Sequence, residues 1–281
     1  MTISAWHRIW GICIVAIAQF AQIRCQAPIL EAADLATFAG PAMGTTYRVT
    51  LARDVAGMSL SEVHREVEEV LARLDRALST WRDDSDASRF NRACPGEWVT
   101  VASDLVAIVS IARRVHDDTG GAFDITAGVG RTGGMRDFEI RPAPPALHKT
   151  RAGVVLDLGG IGPGYAVDRV GEELVALGST AHLVELGGEV RAWGTRADGS
   201  PWRVAERGSR TVLNLADGEA VATSTARPGK SPIDPRTGRT VEACALSVTV
   251  RAATCAEADA RAVAKLVLEA THPAAGRNHE E

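Results

Sequence analysis

Residues 154–177 read VVLDLGGIGPGYAVDRVGEELVAL, and the fold turns on how that stretch is parsed. Val154 to Leu158 has the composition of a short strand. Four glycines and Pro163 then precede Tyr165, after which Val167, Val170, Leu174 and Leu177 recur at helical spacing. A strand, a glycine turn and an amphipathic helix from Tyr165 to Leu177 are therefore expected. At such a junction backbone amides can approach an anion, and the helix N-terminus adds its dipole. The same glycines equally suit a tight structural turn. The spacing fits neither the dinucleotide fingerprint, which needs a third glycine at a fixed place, nor the nucleotide-hydrolase phosphate loop, which needs a following GK[ST].

Working outward, Ala42 to Leu51 alternates and is rich in Thr and Val, so it reads as a first strand. Ser59 and Glu62 form a capping-box pair ahead of Leu60, Val63, Val67, Val70, Leu71, Leu74 and Leu78, a helix running to Ser79. Thr80 to Asn91 is polar and reads as a loop. Ser103 is the expected cap of a second helix that ends near Gly120. Residues 127–150 hold four glycines and three prolines without periodicity and read as a long loop. His182 to Leu186 and Glu189 to Trp193 make a hairpin around Gly187-Gly188. Trp202 to Glu206, Thr211 to Leu215, Ala220 to Ser224 and Ala245 to Arg251 read as strands, and Glu257 to Glu269 as a closing helix. Consecutive strands beside segregated helices argue for an α+β architecture over a doubly wound sheet.

The chain has 281 residues, 46% apolar and 23% charged, which excludes disorder, collagen-like repeats and a multi-span membrane protein. Thirty-one basic residues against 35 acidic ones, with no basic tract, argue against nucleic-acid binding. Ile9 to Ile23 is uncharged between Arg8 and Arg24, the size of an export signal and short of the roughly 20 apolar residues of a span. Residues 1–27 are read as a signal peptide, with a buried first helix or an uncleaved anchor as alternatives, and residues 28–281 as one domain. Arg24 stands where a small residue should precede a lipidated cysteine, which speaks against lipidation at Cys25. Cys94, Cys244 and Cys255 remain after the signal. Cys244 could pair with Cys255, or both could be buried thiols.

No HExxH, GxSxG or CxxC occurs, so zinc proteases, serine hydrolases of that type and thioredoxin-like enzymes lose support. Asp124, Asp157, Asp168, Asp234 and Asp259 are the acidic candidates. In isolation each reads as a cap, a turn residue or a solvated charge.

Their neighbours change that weighting. AMGT at 42–45, LSTWR at 78–82, SDASRFN at 85–91, FDIT at 123–126, LDLGGIGPGYAVD at 156–168, LGG at 186–188, ATS at 222–224, IDPRTG at 233–238 and ADA at 258–260 occur in this order. As an ordered set they resemble the FAD:protein FMN transferase family, ApbE. The resemblance implies a single α+β domain with a mixed or antiparallel sheet. It also implies a periplasmic or inner-membrane-surface enzyme that binds FAD with Mg2+ and attaches FMN to a Thr or Ser hydroxyl of an acceptor flavoprotein of an electron-transfer complex, releasing AMP. By motif, Met43, Thr80, Trp81, Ala122, Phe123, Asp124, Asp157, Pro163 and Ile233 fall at FAD-contacting positions. Gly160, through its carbonyl, Asp259 and Val263 fall at metal positions.

Three residues depart from the family pattern. Pro163 replaces a Lys in the glycine turn, removing a cation and a backbone donor while suiting a helix's first turn. Ser231 stands at the position of the family His, the expected general base. Val263 replaces a metal-binding Thr and cannot ligate Mg2+. The stretch from Thr126 to Val154 is also short and lacks a helical pattern. The alternative is a degenerate relative that binds flavin without transferring it; a secreted module without ligand is the third reading.

Overall fold

The computed structural model describes residues 35–271 apart from 129–131, 207–209, 228, 230 and 243–245. The proposed signal, Cys25 and Cys244 lie outside the described residues. Cys94 is an exposed free thiol and Cys255 a buried one.

The chain opens with β1 (Ala36–Ala42) and β2 (Thr45–Leu51), a hairpin where a single strand from Ala42 was expected. Ala42 pairs with Thr45, so Met43 and Gly44 form a two-residue turn with φ of 48° and 75°. Both positive angles match the twist of the flanking strands. Among the described residues Met43 is the only non-glycine in that left-handed region. The helix α1 (Leu60–Leu78) begins at the expected box: Ser59 Oγ accepts from Glu62 N, and Ser59 N donates to the Glu62 carboxylate. The expected polar loop instead contains α2 (Asp86–Arg92), capped by Ser85. After β3 (Trp98–Thr100), α3 (Ser103–Asp118) starts one residue earlier than expected: Ala102 is the cap and Ser103 the first helical residue.

The supposed long loop holds β4 (Phe138–Arg141) and β5 (Ala146–Lys149), which form an antiparallel sheet in the order β3-β5-β4. Residues 154–158, expected as a strand, join no sheet. Their backbone is satisfied differently: the Asn91 amide donates to Leu156 O at 3.0 Å and accepts from Leu156 N at 2.7 Å. Asp157 N donates to Ile125 O at 2.7 Å. One side chain thus does what a neighbouring strand would do.

Next come α4 (Gly162–Ala176), β6 (His182–Leu186), β7 (Glu189–Trp193), β8 (Trp202–Ala205), β9 (Val212–Leu215) and β10 (Ala220–Thr225). They are followed by β11 (Ile233–Asp234), β12 (Arg239–Thr240), β13 (Ser247–Ala252) and α5 (Cys255–Thr271). The main sheet runs β1-β2-β6-β7-β10-β13, with every ladder antiparallel. On β6, Val184 and Leu186 join the core under the helices, whereas Leu183 joins a second cluster with Trp202, Val204 and Leu215 beneath the β8–β9 hairpin. Period-2 alternation buries both faces, so every residue of β6 is buried.

The helix α4 lies against both α5 and the sheet because two of its positions carry no side chain. A Cβ at Gly164 would overlap the backbone of Cys255, and one at Gly171 would overlap the Trp193 ring. Between them, Asp168 reaches both neighbours. Its carboxylate accepts from Cys255 N at 2.8 Å and Ala256 N at 2.9 Å, capping α5, and from Arg191 Nη1 of β7 at 2.7 Å. Asp168 is 5% exposed and the Arg191 side chain 16%, so loss of the carboxylate would leave a largely covered guanidinium with Gly218 O as its remaining hydrogen-bond partner. We expect Asp168→Ala to lose about 3–5 kcal/mol, the usual effect of removing one partner of a buried pair, measured as a lower urea midpoint of unfolding.

His182 is fully buried, with Ser179 Oγ on Nδ1 at 2.9 Å and its ring stacked on Trp193. Burial pushes its pKa down from 6.5 to about 4. The unfolded chain therefore takes up this proton first, and the associated stability, present above pH 6.5, is lost as pH falls toward 4. The loss amounts to roughly 3 kcal/mol. Chemical unfolding across that window should show the decline in the parent and a shallower one in His182→Leu.

Candidate functional site

Two adjoining clefts flank the glycine turn. The first, about 690 Å³, is lined by Ala122 to Ile125, Ala127, Gly128, Asp157, Gly159, Gly160, Ser224, Thr225, Ser231 to Ile233, Pro235 and Val263. The second, about 390 Å³, is lined by Met43, Gly44, Asp75, Leu78 to Arg82, Leu158, Gly159, Gly162 and Pro163. Gly159 belongs to both, so the turn is the wall between them.

Each wall follows from local sequence. Beyond α3 the chain reverses through Gly120 and Gly121, and Thr119 Oγ1 donates to Val115 O at 2.6 Å. Asp124 Oδ1 then accepts from Thr126 N at 2.7 Å and Thr126 Oγ1 at 2.6 Å, an Asx-type turn that presents the carboxylate at the cleft. The opposite wall is the β11–β12 turn. Asp234 is buried and takes both Nε (2.9 Å) and Nη2 (3.0 Å) of Arg236, which holds its carboxyl below the usual carboxylate range. That pair presents Ile233 and Pro235 to the cleft. The floor comes from α5: a Cβ at Gly160 would sit 3.0 Å from Val263 Cγ2 and 3.5 Å from Phe123 Cε2.

In the second cleft, Ser79 Oγ accepts from the amides of Trp81 and Arg82 at 3.3 Å. Arg82 pairs with Asp84 at 2.8 Å and Asp75 at 3.5 Å. Trp81 is 95% exposed, a flat indole free to stack against a ring. Met43 reaches the turn from the other side, its Cε 3.7 Å from where a Gly162 Cβ would lie.

The motif-derived residues therefore divide. Ala122, Phe123, Asp124, Asp157, Gly160, Ser231, Ile233 and Val263 line the first cleft; Met43, Thr80, Trp81 and Pro163 line the second. Asp259 lines neither. It is buried beneath the turn and its Oδ2 accepts from Gly164 N at 3.2 Å, one turn of α5 before Val263. Pro163 sits in the first turn of α4, where a missing N–H costs nothing. Ser231 Oγ donates to Arg227 O at 3.0 Å. Sequence reading passed over Ser224, Thr225 and Asp75 as lining residues. The first two lie in or beside the quoted ATS segment, but nothing in that short string marks hydroxyls facing a cleft.

The turn uses its amides internally. Gly159 N donates to Asp157 Oδ1 at 3.0 Å, Ile161 N and Gly162 N to Leu158 O at 3.2 and 2.7 Å, and Gly164 N to Asp259. It is thus built as a tight structural turn more than as an amide cradle for an anion. Asp124 and Asp157 add negative charge to the first cleft, and among its described lining residues there is no Lys or Arg. The arrangement suits a ligand that brings polar donors, or an anion that arrives with a cation.

Comparison with known proteins agrees with this geometry. The chain is 29% identical to the FAD:protein FMN transferase of Haemophilus influenzae over 277 residues, spanning 83% of this chain and 80% of that protein. It is 29% identical to the Vibrio cholerae protein of the same name over 283 residues, spanning 87% and 83%. The crystal structure of the Pseudomonas stutzeri flavinyl transferase ApbE in its apo form superposes with a TM-score of 0.74 at 33% identity, covering 84% of each chain. The flavin transferase ApbE from Vibrio cholerae superposes equally well, at 28% identity over 84% of this chain and 88% of that one. The ApbE family model matches residues 43–279, nearly the whole of the described domain and both clefts, and the chain belongs to the ApbE family of flavinyltransferases.

Proposed function

We propose that the paired clefts bind FAD and that the protein transfers its FMN half to a Thr or Ser hydroxyl of an exported acceptor flavoprotein, one belonging to an electron-transfer complex. The observation that carries this reading is the placement of the motif residues on both sides of one glycine turn, in two adjoining spaces that share Gly159 as a wall. In the reaction, the acceptor oxygen forms a bond to the FMN phosphorus. The bridging P–O bond breaks, AMP leaves with the bridging oxygen, and the hydroxyl proton passes to solvent or to the leaving phosphate.

Because the first cleft is lined by carboxylates, a pyrophosphate there needs a counter-cation. Among the described residues no cluster of three or more His, Cys, Asp or Glu forms a ready metal cage. The donors that the family resemblance gives are Gly160 on the first cleft, through its carbonyl, and the Asp259 carboxylate buried beneath the turn on Gly164 N, both hard oxygens, while Val263 offers a methyl group. That set fits Mg2+, which keeps several waters and is commonly held by one or two carboxylates plus substrate phosphates. The chemistry such an ion supplies is charge neutralisation on the pyrophosphate. The protein's own part is to orient the nucleotide, through Trp81 and Met43 on one side of the turn and Phe123 and Asp124 on the other.

Ser231 provides no base of useful strength, and general-base assistance is typically worth about 10²- to 10⁴-fold. Transfer by the parent is accordingly slow. The export reading supplies the compartment: the uncharged stretch from Ile9 to Ile23 supports periplasmic release, with attachment at the inner-membrane surface as the alternative. Intact mass of periplasmic material should show a mature start near residue 28.

The deciding experiment incubates the mature protein with FAD, Mg2+ and an acceptor-threonine peptide and follows addition of FMN by mass spectrometry. We expect slow modification in the parent and a rise within the about 10²- to 10⁴-fold range in Ser231→His. Asp259→Asn, which keeps an oxygen for Gly164 N but loses the charge, should weaken the Mg2+ dependence. FAD binding without FMN addition by the parent or Ser231→His would leave a flavin-binding relative as the better account.

A further inference from the structure

His116, in the last turn of α3, belongs to none of the family segments, yet its ring reaches the wall of the first cleft. Nδ1 lies 2.8 Å from Phe123 O and 3.7 Å from Asp124 Oδ2. A carbonyl oxygen can only accept, so Nδ1 must carry the proton whether the ring is neutral or charged. The ring is one-fifth exposed and packs beside Gly121, whose amide donates to His116 O at 2.9 Å. Backbone and side chain of the same residue therefore grip the reversal that leads into the cleft.

We propose that His116 is a positioning residue for the nucleotide in this cleft; the inference rests on the reading of the cleft as the FAD site. The two groups it touches are cleft-lining and adjacent. The Phe123 carbonyl fixes the peptide from which the Phe123 ring extends toward Gly160 and the Asp124 carboxylate extends toward the ligand. Asp124 Oδ1 is committed to Thr126 N and Oγ1. Oδ2 is then the oxygen that can take a hydroxyl or N–H donor from the ligand, and the His116 ring lies beside it, with Nδ1 at 3.7 Å. Without the Nδ1–H the Phe123 carbonyl loses its hydrogen bond to α3, and the peptide that carries both the Phe123 ring and the Asp124 carboxylate is held less firmly.

Two substitutions separate positioning from bulk packing. Asn places its Nδ2 donor close to where Nδ1 lies, whereas Leu fills similar space with no donor. Read by quenching of flavin fluorescence with Mg2+ present, His116→Leu should raise the Kd for FAD roughly tenfold or more, the effect of losing one hydrogen bond near a charged group. His116→Asn should stay within about threefold of the parent, because the donor is retained. If the parent binds FAD and both variants bind it equally well, or Asn fails as badly as Leu, the positioning role is wrong while the FAD reading stands. If the parent binds no FAD, both fall. Should His116→Leu not fold, imidazole 15N shifts of the parent decide: the neutral ring is expected as the Nδ1–H tautomer, and the Nε2–H tautomer would overturn the assignment.

Discussion

The buried carboxylate of Asp168 holds together the three elements on which the rest is assembled. It sits on α4, caps the first turn of α5 through two amides, and pairs with Arg191 on the central strand β7. Burial pushes its pKa up, and the two amides and the guanidinium that pull the other way do not cancel it. The geometry is permitted only because α4 lacks side chains at Gly164 and Gly171, where α5 and Trp193 press in. A helix with ordinary residues at those places would stand off from both neighbours, and Asp168 could not reach them.

The site follows from that clamp by helical arithmetic. Once the start of α5 is fixed against α4 at Cys255, residues four and eight positions on share the same face. Asp259 therefore meets the first turn of α4 at Gly164 N, and Val263 meets the turn before it at Gly160. Whatever stands at 263 looks into the first cleft, so the methyl groups of Val263 are part of the floor of the site and not of its surroundings. The other walls hang on separate local devices, the Asx turn at Asp124 and the Asp234–Arg236 pair, each confined to a few residues.

Legibility in the sequence tracked how local the determining physics was. The capping box at Ser59 and the apolar period of α1, the hairpin at Gly187-Gly188 and the helical run after Pro163 all state their structure within a few residues, and the chain folds as they read. The strands β4 and β5 were hidden because each is only four residues long and lies among prolines and glycines. The helix α2 was hidden because its sequence, DASRFNR, is polar and makes fewer than two turns. Residues 154–158 look like a strand and lack only a partner strand, since the Asn91 amide, more than sixty residues away, meets the backbone instead. For the clefts, composition and spacing marked the glycine turn as interesting but left open what it does. The ordered family segments selected which side chains face the cavities. His116 escaped both approaches, because a bond from a side chain to a carbonyl seven residues on has no spacing signature.

The order of the main sheet has a consequence for how the chain comes together during synthesis. Neighbours in the sheet follow chain order throughout: β1, β2, β6, β7, β10 and β13. The widest gap in sequence is between β2 and β6, where Tyr47 must find Leu186 and Leu51 must find His182. Everything from α1 to α4 is threaded between them. Until residue 186 has emerged, the first hairpin carries an unpaired inner edge, and an open edge of alternating apolar residues invites association with other chains. A chain moved across a membrane before folding would carry that edge in an extended, unpaired state throughout the passage, and the slow, non-local closure of β2 on β6 would be the step that ends its exposure.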